Sequence, residues 1–497
     1  MKHKMMYLVL IALFIAGKVY PQLNNFDLSK YKLPNLERKS LDTYFDFSGN
    51  NDFNKHFSST MPSYNVESRN QYNSNIHVNY NSYLNNANWQ KYSNIGADFT
   101  SYFYNTLFDK RTYQRSFTVY PSLFVNSVNR KYFSSNKFFE FDPGLNYSFH
   151  NLRYSIDTYA GLGDSSNIEK NNQKEHTLKF TLPLAAGVGR IEYVDDARQA
   201  IYIFDELAKQ GKISSDISDQ DIIQFAELIS QLHTKRFFDS RIRKIYQLEA
   251  IDSFLVSNNY VMDHDIRYFT TLSDFWDYGD SPARSSGTRL SVVLYPGYTF
   301  YNYKDEGNLY YNNGVYNVNA FLISGGLELV HEKPVNLYWQ NSINMRARVG
   351  AAIGKFKDKL NSSDNEIKIP DLQLGYFQTL GFYPSTRTRI SYTYDIQYVQ
   401  LFDKSNIDQN ILGAQCKAVR LGSELSVNYY ISQKVRLDLA SSLFYVWQNS
   451  KDGSVSSLNN IIGNSLLSDN YGAIVNSYSL EKQLKHRFSL SLIYSIF

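Results

Sequence analysis

The sequence predicts an all-β fold, a transmembrane antiparallel β-barrel of about fourteen strands, interrupted by an α-helical insert. The first observation is a period of two that recurs along the chain and is clearest in Leu337–Ile353. There Trp339 and Val349 share one face of an extended strand, whereas Arg346 lies on the other. The second is the aromatic content, because 42 Tyr and 33 Phe supply most of an aromatic fraction of 16%, as in the aromatic girdles of membrane barrels. The third is the loss of this alternation over residues 191–280.

Composition excludes several other classes. Beyond the N-terminus no run approaches the roughly 18 apolar residues that a membrane helix needs, and the mean hydropathy is −0.41. A membrane barrel gives the same values, because only every second residue of its strands faces lipid. The one cysteine, Cys416, excludes an intramolecular disulfide framework and a cysteine-based metal site. The net charge of +4 on 497 residues is too small to indicate nucleic acid as a partner.

Residues 1–21 have the pattern of a secretory signal peptide. Lys2 and Lys4 precede an apolar core, Met5–Ala16, which is too short to span a bilayer. We expect cleavage near Gln22, and therefore export of the chain.

The rest of the chain divides into three parts around the insert. Residues 22–67 are polar and rich in Asn and Ser, with one short alternating piece, Leu41–Phe47. They predict an N-terminal periplasmic extension or a plug inside the barrel, and a disordered leader is the alternative. We assign barrel strands 1–6 to residues 68–190 and strands 7–14 to residues 281–497, with Phe149–Leu152 as a short turn between two strands.

The insert, residues 191–280, has helical spacing. Asp195 begins the first helix and Gly211 follows its end, as the helix dipole and the C-terminal turn favour. Ser218 with Asp221 three residues later predicts a capping box at the start of a second helix. A segment of this length can bury a small core of its own.

The last strand supplies a resemblance to a known family. Phe488, Leu490 and Leu492 lie on one face, and the sequence stops at an aromatic residue, Phe497. In this respect the chain resembles the outer-membrane β-barrel proteins of Gram-negative bacteria, whose final strand ends in Phe and is read by the barrel-assembly machinery. The resemblance implies a location in the bacterial outer membrane, contact with its lipid, and dependence on that machinery during biogenesis. If the last strand ends in the periplasm, the even strand count places the helical insert on the periplasmic side.

No pattern of catalytic or cofactor-binding residues is present. The histidines show no motif spacing, and the sequence contains no phosphate-binding loop, dinucleotide fingerprint or zinc motif. We therefore expect no enzymatic activity, no cofactor and no metal.

Ionisable side chains on the polar faces of the strands are candidates for lining the barrel lumen. Their mixed signs allow two interpretations, a water-filled polar conduit or a sealed interior in which opposite charges pair. The candidates are Asp98, Arg153, Asp157, Lys179, Glu328, Arg346, Arg348, Arg389, Asp395, Arg420 and Glu424.

A basic run, Lys235–Lys244, lies where the third helix of the insert is expected to begin. We expect Ile242 and Ile245 to lie on the buried side of that helix. The run is a candidate site for an acidic periplasmic protein or an anionic cell-wall polymer, or else a helix junction with solvated charges. The candidate partner-binding residues are Lys235, Arg236, Arg241, Arg243 and Lys244.

These observations predict an outer-membrane barrel whose periplasmic insert docks a partner, so that the protein acts as a scaffold or as a component of an envelope assembly. The alternative is a transporter, either a polar-lined channel for small solutes or a hatch-gated barrel for hydrophobic ligands.

Overall fold

The chain forms one antiparallel sheet that curves into a β-barrel, together with a helical domain at one end of the barrel. The computed structural model describes residues 26–58, 63–108, 112–134, 136–158, 167–235, 240–279, 284–307, 314–359, 363–402, 415–432, 435–450 and 482–494. The strands are β1 Leu36–Ser58, β2 Ser63–Asn85, β3 Trp89–Phe108, β4 Thr112–Tyr132, β5 Lys137–Phe141, β6 Gly144–Thr158, β7 Asn167–Thr181, β8 Leu184–Tyr193, β9 Ser285–Gly307, β10 Val315–Pro334, β11 Trp339–Asp358, β12 Ser363–Ser385, β13 Thr388–Phe402, β14 Gln415–Ser432, β15 Val435–Ser450 and β16 Lys482–Tyr494.

The sixteen strands occupy fourteen positions in the sheet. β5 and β6 both pair with β4 in one register, which is interrupted at Asp142 and Pro143 between them and at Tyr120 and Pro121 of β4. In the same way β7 and β8 both pair with β9, interrupted at Leu182 and Pro183. Proline has no N–H to donate, so it breaks the ladder locally without shifting the register. The predicted fold class and strand number are therefore confirmed.

Two strand assignments were wrong, and their errors cancel in the count. Residues 36–58 form β1, paired along its whole length with β2, rather than an extension or a plug. Its alternation fades after Phe47 because the next five residues, 48–52, are Ser, Gly, Asn, Asn and Asp, with no apolar side chain on either face. Phe149–Leu152 is not a turn but the middle of β6. β1 and β16 are the two edges of the sheet, and no pair joins them in the part of the chain that the structure describes.

The outer face of the barrel carries a band of exposed apolar side chains. On β9, Val292 is 63% exposed, and the register places it beside Leu327 of β10, which is 54% exposed. Leu327 in turn lies opposite Ala347 of β11, and Val349 follows on the same face with 63% exposure. A continuous apolar surface of this extent marks a site of contact with lipid or with another protein.

Four helices follow β8, within residues 191–280, and carry a core of their own. They are α1 Asp195–Lys209, α2 Asp219–Thr234, α3 Ser240–Ser257 and α4 Ile266–Gly279. Ser218 forms the predicted capping box with Asp221. A segment before β1, including Phe26 and Tyr31, packs into the same core as the helices. None of the helices that the structure describes has the length and apolar character needed to cross a bilayer.

The buried side of α3 differs from the predicted one. Ile242 and Ile245 are each 57% exposed, whereas Gln247, Ile251 and Leu255 are buried. Apolar residues stand on more than one side of this helix, so their spacing alone does not identify the buried face.

Two glycines bend the β8–β9 pair out of the barrel wall. Gly189 has φ +100° and Gly287 has φ +132°, a region that only glycine adopts without strain. Past the bend, Arg190 and Ile191 bond to residues at the β2–β3 turn, although β4 and β5 lie between these strands in the sheet. The β8–β9 pair therefore crosses the mouth of the barrel and carries the helices into it.

We expect alanine at Gly189 or Gly287 to destabilise the folded barrel by about 2 kcal/mol or more, since the positive φ and a collision with the opposite backbone both oppose a Cβ atom. Gly325→Ala is the matched control, because a Cβ there meets no atom closer than 3.6 Å. Guanidinium unfolding in detergent micelles measures the difference. Equal unfolding midpoints for Gly189→Ala and Gly325→Ala would contradict the bend.

Candidate functional site at the junction of barrel and helices

Arg190 of β8 binds the β2–β3 turn. Its guanidinium donates to the carbonyl oxygens of Ala87 at 3.0 Å and Asn86 at 2.9 Å, and to Asn85 Oδ1 at 3.1 Å. It also lies 4.6 Å from the ring centroid of Tyr132. The turn thus receives donors from a strand that is not its neighbour in the sheet, and this holds the bent segment in the mouth.

Arg284, just before β9, binds the β10–β11 turn. It is 1% exposed and donates to the carbonyl oxygens of Asn336 and Trp339, each at 2.8 Å, and of Leu337 at 2.5 Å. Its backbone N–H donates to the carboxylate of Asp195, the first residue of α1, at 2.8 Å. Burial lowers the pKa of the Arg284 guanidinium to about 10, which leaves it charged at neutral pH. One buried arginine therefore connects the helical domain with the wall.

The β12–β13 turn is the third attachment. The hydroxyl of Tyr202 in α1 donates to the carbonyl oxygen of Tyr383 at 3.1 Å, and burial raises the pKa of Tyr202 to about 12. Arg387 in the turn pairs with Asp274 of α4 at 2.5 Å. Because the three turns are distributed between β2 and β13, over ten of the fourteen sheet positions, the helical domain is held against the barrel rather than suspended from two strands.

A polar cluster fills the inner face of the barrel above this junction. Gln90 of β3 donates to the carbonyl oxygen of Ile191 at 2.9 Å and accepts from the Tyr132 hydroxyl at 2.8 Å. Arg130 donates to Gln90 at 3.1 Å and pairs with Glu140 of β5. These side chains come from three neighbouring strands and bind one another, and the Arg130 charge is compensated by Glu140.

Most of the predicted lumen residues lie on the inner face. Glu328 pairs with Arg348, and both bond to the Tyr295 hydroxyl at 2.7 Å. Asp395 lies 3.5 Å from Arg420. The inner-face residues, by the register of the ladder, are Asp98, Lys179, Glu328, Arg346, Arg348, Arg389, Asp395, Arg420 and Glu424.

Arg153 and Asp157 are the exceptions and correct the lumen assignment. Arg153 lies opposite Phe117, which lies opposite Phe103, and this is the outer, apolar face. Asp157 is on the same face, 3.4 Å from Arg115. The strands are longer than the apolar band, so their outer face becomes polar beyond it, and a polar residue there is not a sign of the lumen.

The described residues of the basic run lie where α2 ends and α3 begins. Lys235 stacks on the ring of Tyr246 at 3.8 Å, and Lys244 pairs with Asp277 near the end of α4 at 2.5 Å. Arg236 lies outside the described residues. The remaining residues form an exposed surface at the start of α3, here called the α3 patch, which consists of Arg241, Ile242, Arg243 and Ile245.

The sequence pattern identified the basic run, but neither the exposure of Ile242 and Ile245 nor the junction arginines. Arg190 and Arg284 flank the insert singly, in no motif, and their partners are backbone carbonyl groups that leave no trace in the sequence. In the part of the chain that the structure describes, no three His, Cys, Asp or Glu side chains group as metal ligands.

We expect Arg284→Ala to destabilise the junction by about 3 kcal/mol, because it leaves buried carbonyl groups without donors. Arg387→Ala is the control, since Arg387 and Asp274 are each more than a third exposed and such a pair contributes about 0–1 kcal/mol. Limited proteolysis of the folded protein in micelles reports on the helices. Equal rates of cleavage in the two variants would show that Arg284 does not fix the domain.

Comparisons with known proteins give remote similarities of fold. No protein-family model matches the sequence, and no curated protein matches it. Similar solved structures include the translocator domain of the autotransporter NalP from Neisseria meningitidis, with 10% identity and a TM-score of 0.26, covering 86% of this chain and 96% of that one. The transport unit of the autotransporter AIDA-I from Escherichia coli has 9% identity and a TM-score of 0.26, over 85% and 97% of the two chains. The ferric yersiniabactin uptake receptor FyuA from Yersinia pestis has 8% identity and a TM-score of 0.31, over 85% of this chain and 62% of that one. At this distance the similarities carry no information about function.

Proposed function

We propose that this protein is an outer-membrane β-barrel that presents a helical docking domain to the periplasm, as a scaffold or component of an envelope assembly. The apolar band supports the membrane location. It is continuous from strand to strand, whereas the inner face carries the ion pairs, and this is the reverse of a soluble barrel with an apolar interior.

Loop lengths support the periplasmic orientation of the helices. The end of the barrel that holds the helices also has the short turns, such as Asn86–Asn88 and Thr386–Arg387. The opposite end has the long connections, over residues 403–414 and 451–481. Outer-membrane barrels have short periplasmic turns and longer extracellular loops.

The observation that carries the docking role is the fixed position of the α3 patch. A simple diffusion pore has turns of a few residues where this chain places four ordered helices, whose ordering costs on the order of 1–2 kcal/mol of backbone entropy per residue. The helices bury their own core and are held at three turns, yet Ile242 and Ile245 remain exposed beside Arg241 and Arg243. Exposed apolar side chains beside arginines are typical of protein interfaces, and Arg suits carboxylates on a partner.

A photo-crosslinking amino acid at Arg241 should give a reproducible adduct with a second envelope component in living cells. The Arg243→Glu change should abolish it, because it reverses the charge beside the crosslinker. Ser253, exposed at the far end of α3, is the control position. Adducts confined to the protein's own barrel would contradict docking and favour a rigid cap that only closes the mouth.

In planar bilayers we expect the purified wild-type protein to show no stable conductance steps, because the Gln90 cluster and the helices occupy the mouth. A known porin in the same bilayer is the positive control. Steps in the wild type whose selectivity shifts toward cations in Arg346→Glu with Arg348→Glu would instead support the transporter alternative.

A further inference from the structure

The outer face of the barrel has a basic groove on the side away from the helices. Its cavity has a volume of about 820 Å³. The residues that define this outer basic groove are Phe103, Arg115, Phe117, Arg153, Ile168 and Lys170.

The ladder register arranges these residues in rows. Phe103, Phe117 and Arg153 lie side by side on β3, β4 and β6. One row farther from the helices, Ser155 of β6 is paired with Arg115 of β4 on one side and with Lys170 of β7 on the other. Two rings therefore form an apolar floor, and three cations stand at and just above it, across four neighbouring strands.

The groove carries more basic than acidic side chains, since Arg115, Arg153 and Lys170 line it together with one acid, Glu306. Asp157 lies 3.4 Å from Arg115, which remains 51% exposed, and Glu306, which also lines the groove, pairs with Lys304. Arg153 is exposed and has no acidic partner within the described residues.

The position of the groove indicates what covers it. Toward the helices, the same face of β4 carries Leu123 and that of β6 carries Phe149 and Leu145, which belong to the apolar band. The groove thus begins where the band ends, at the level where lipid headgroups meet acyl chains. An acidic protein has no need of an apolar floor at this level, whereas a lipid that carries phosphate fits both parts.

We propose that the outer basic groove binds the phosphorylated headgroup of an outer-leaflet lipid, of the lipid A type. Arg115, Arg153 and Lys170 hold the phosphate groups, for which arginine offers paired donors. Phe103 and Phe117 pack against the acyl chains just below. This inference rests on the proposed outer-membrane function and adds a lipid ligand to it.

The test uses the folded full-length protein in detergent micelles and measures binding of bisphosphorylated lipid A by native mass spectrometry. Arg153→Glu with Lys170→Glu should weaken binding at least about tenfold, or about 1.4 kcal/mol. Lys91→Glu with Lys131→Glu makes the same charge change beside Trp89, at the opposite edge of the band, and should leave binding unchanged. Inorganic phosphate at equal concentration should not displace the lipid.

The charge-preserving pair Arg153→Lys with Lys170→Arg keeps the test informative if the reversed variant fails to fold, and it should retain binding. Loss of binding in that pair, equal loss in the Lys91 and Lys131 control, or displacement by inorganic phosphate would overturn the proposal. Membrane fractionation of the wild type is a separate readout. A protein absent from the outer membrane would refute the proposed function, whereas the micelle assay reports on the groove alone.

Discussion

The rest of this structure depends on one constraint: in every strand pair, inward-facing residues lie opposite inward-facing ones and outward-facing residues opposite outward-facing ones. A shift of one residue in any pair would exchange the two faces of every later strand. The ladder keeps its phase across fourteen positions, and its register shifts lie beside turns, as at Phe382 and Ser385. The apolar band, the charged interior and the outer basic groove are therefore consequences of one register. Each is present because the register aligns the outward-facing residues of neighbouring strands.

The helical domain depends on a local departure from that regularity. Gly189 and Gly287 allow the β8–β9 pair to turn inward, and Arg190 and Arg284 then satisfy the carbonyl groups of turns that the wall alone would leave to water. A wall strand that ended normally would leave the helices tethered and free to rotate. The bend, the buried arginine and the Tyr202 contact together convert an insertion into a fixed part of the barrel.

Alternation in the sequence was enough to predict the barrel, because a period of two is a local property that survives in most strands. It failed where the two faces of a strand resemble each other. β1 loses its contrast after Phe47, and β6 has polar residues outside and Tyr154 and Ile156 inside, so Arg153 and Asp157 were assigned to the wrong face. The start and cap of the helices were readable from Asp195 and Ser218. The buried side of α3 and the contacts of Arg190 and Arg284 could not be predicted from the sequence, because they depend on tertiary contacts.

Residues paired from strand to strand form rows across the sheet, and each row lies farther from the helices on every successive strand. This stagger determines the tilt of the strands and therefore the height of the barrel wall. The row that starts at Leu41, near the beginning of β1, passes through Val125 and Tyr298 and reaches Ile353, near the end of β11. A climb of about one residue per strand corresponds to strands tilted by roughly 35–45°. At that tilt a strand of 20 residues such as β11 rises about 50 Å along the barrel axis. An apolar band in a membrane barrel is about 25 Å tall, so at the proposed membrane location part of this wall would lie outside the hydrocarbon core.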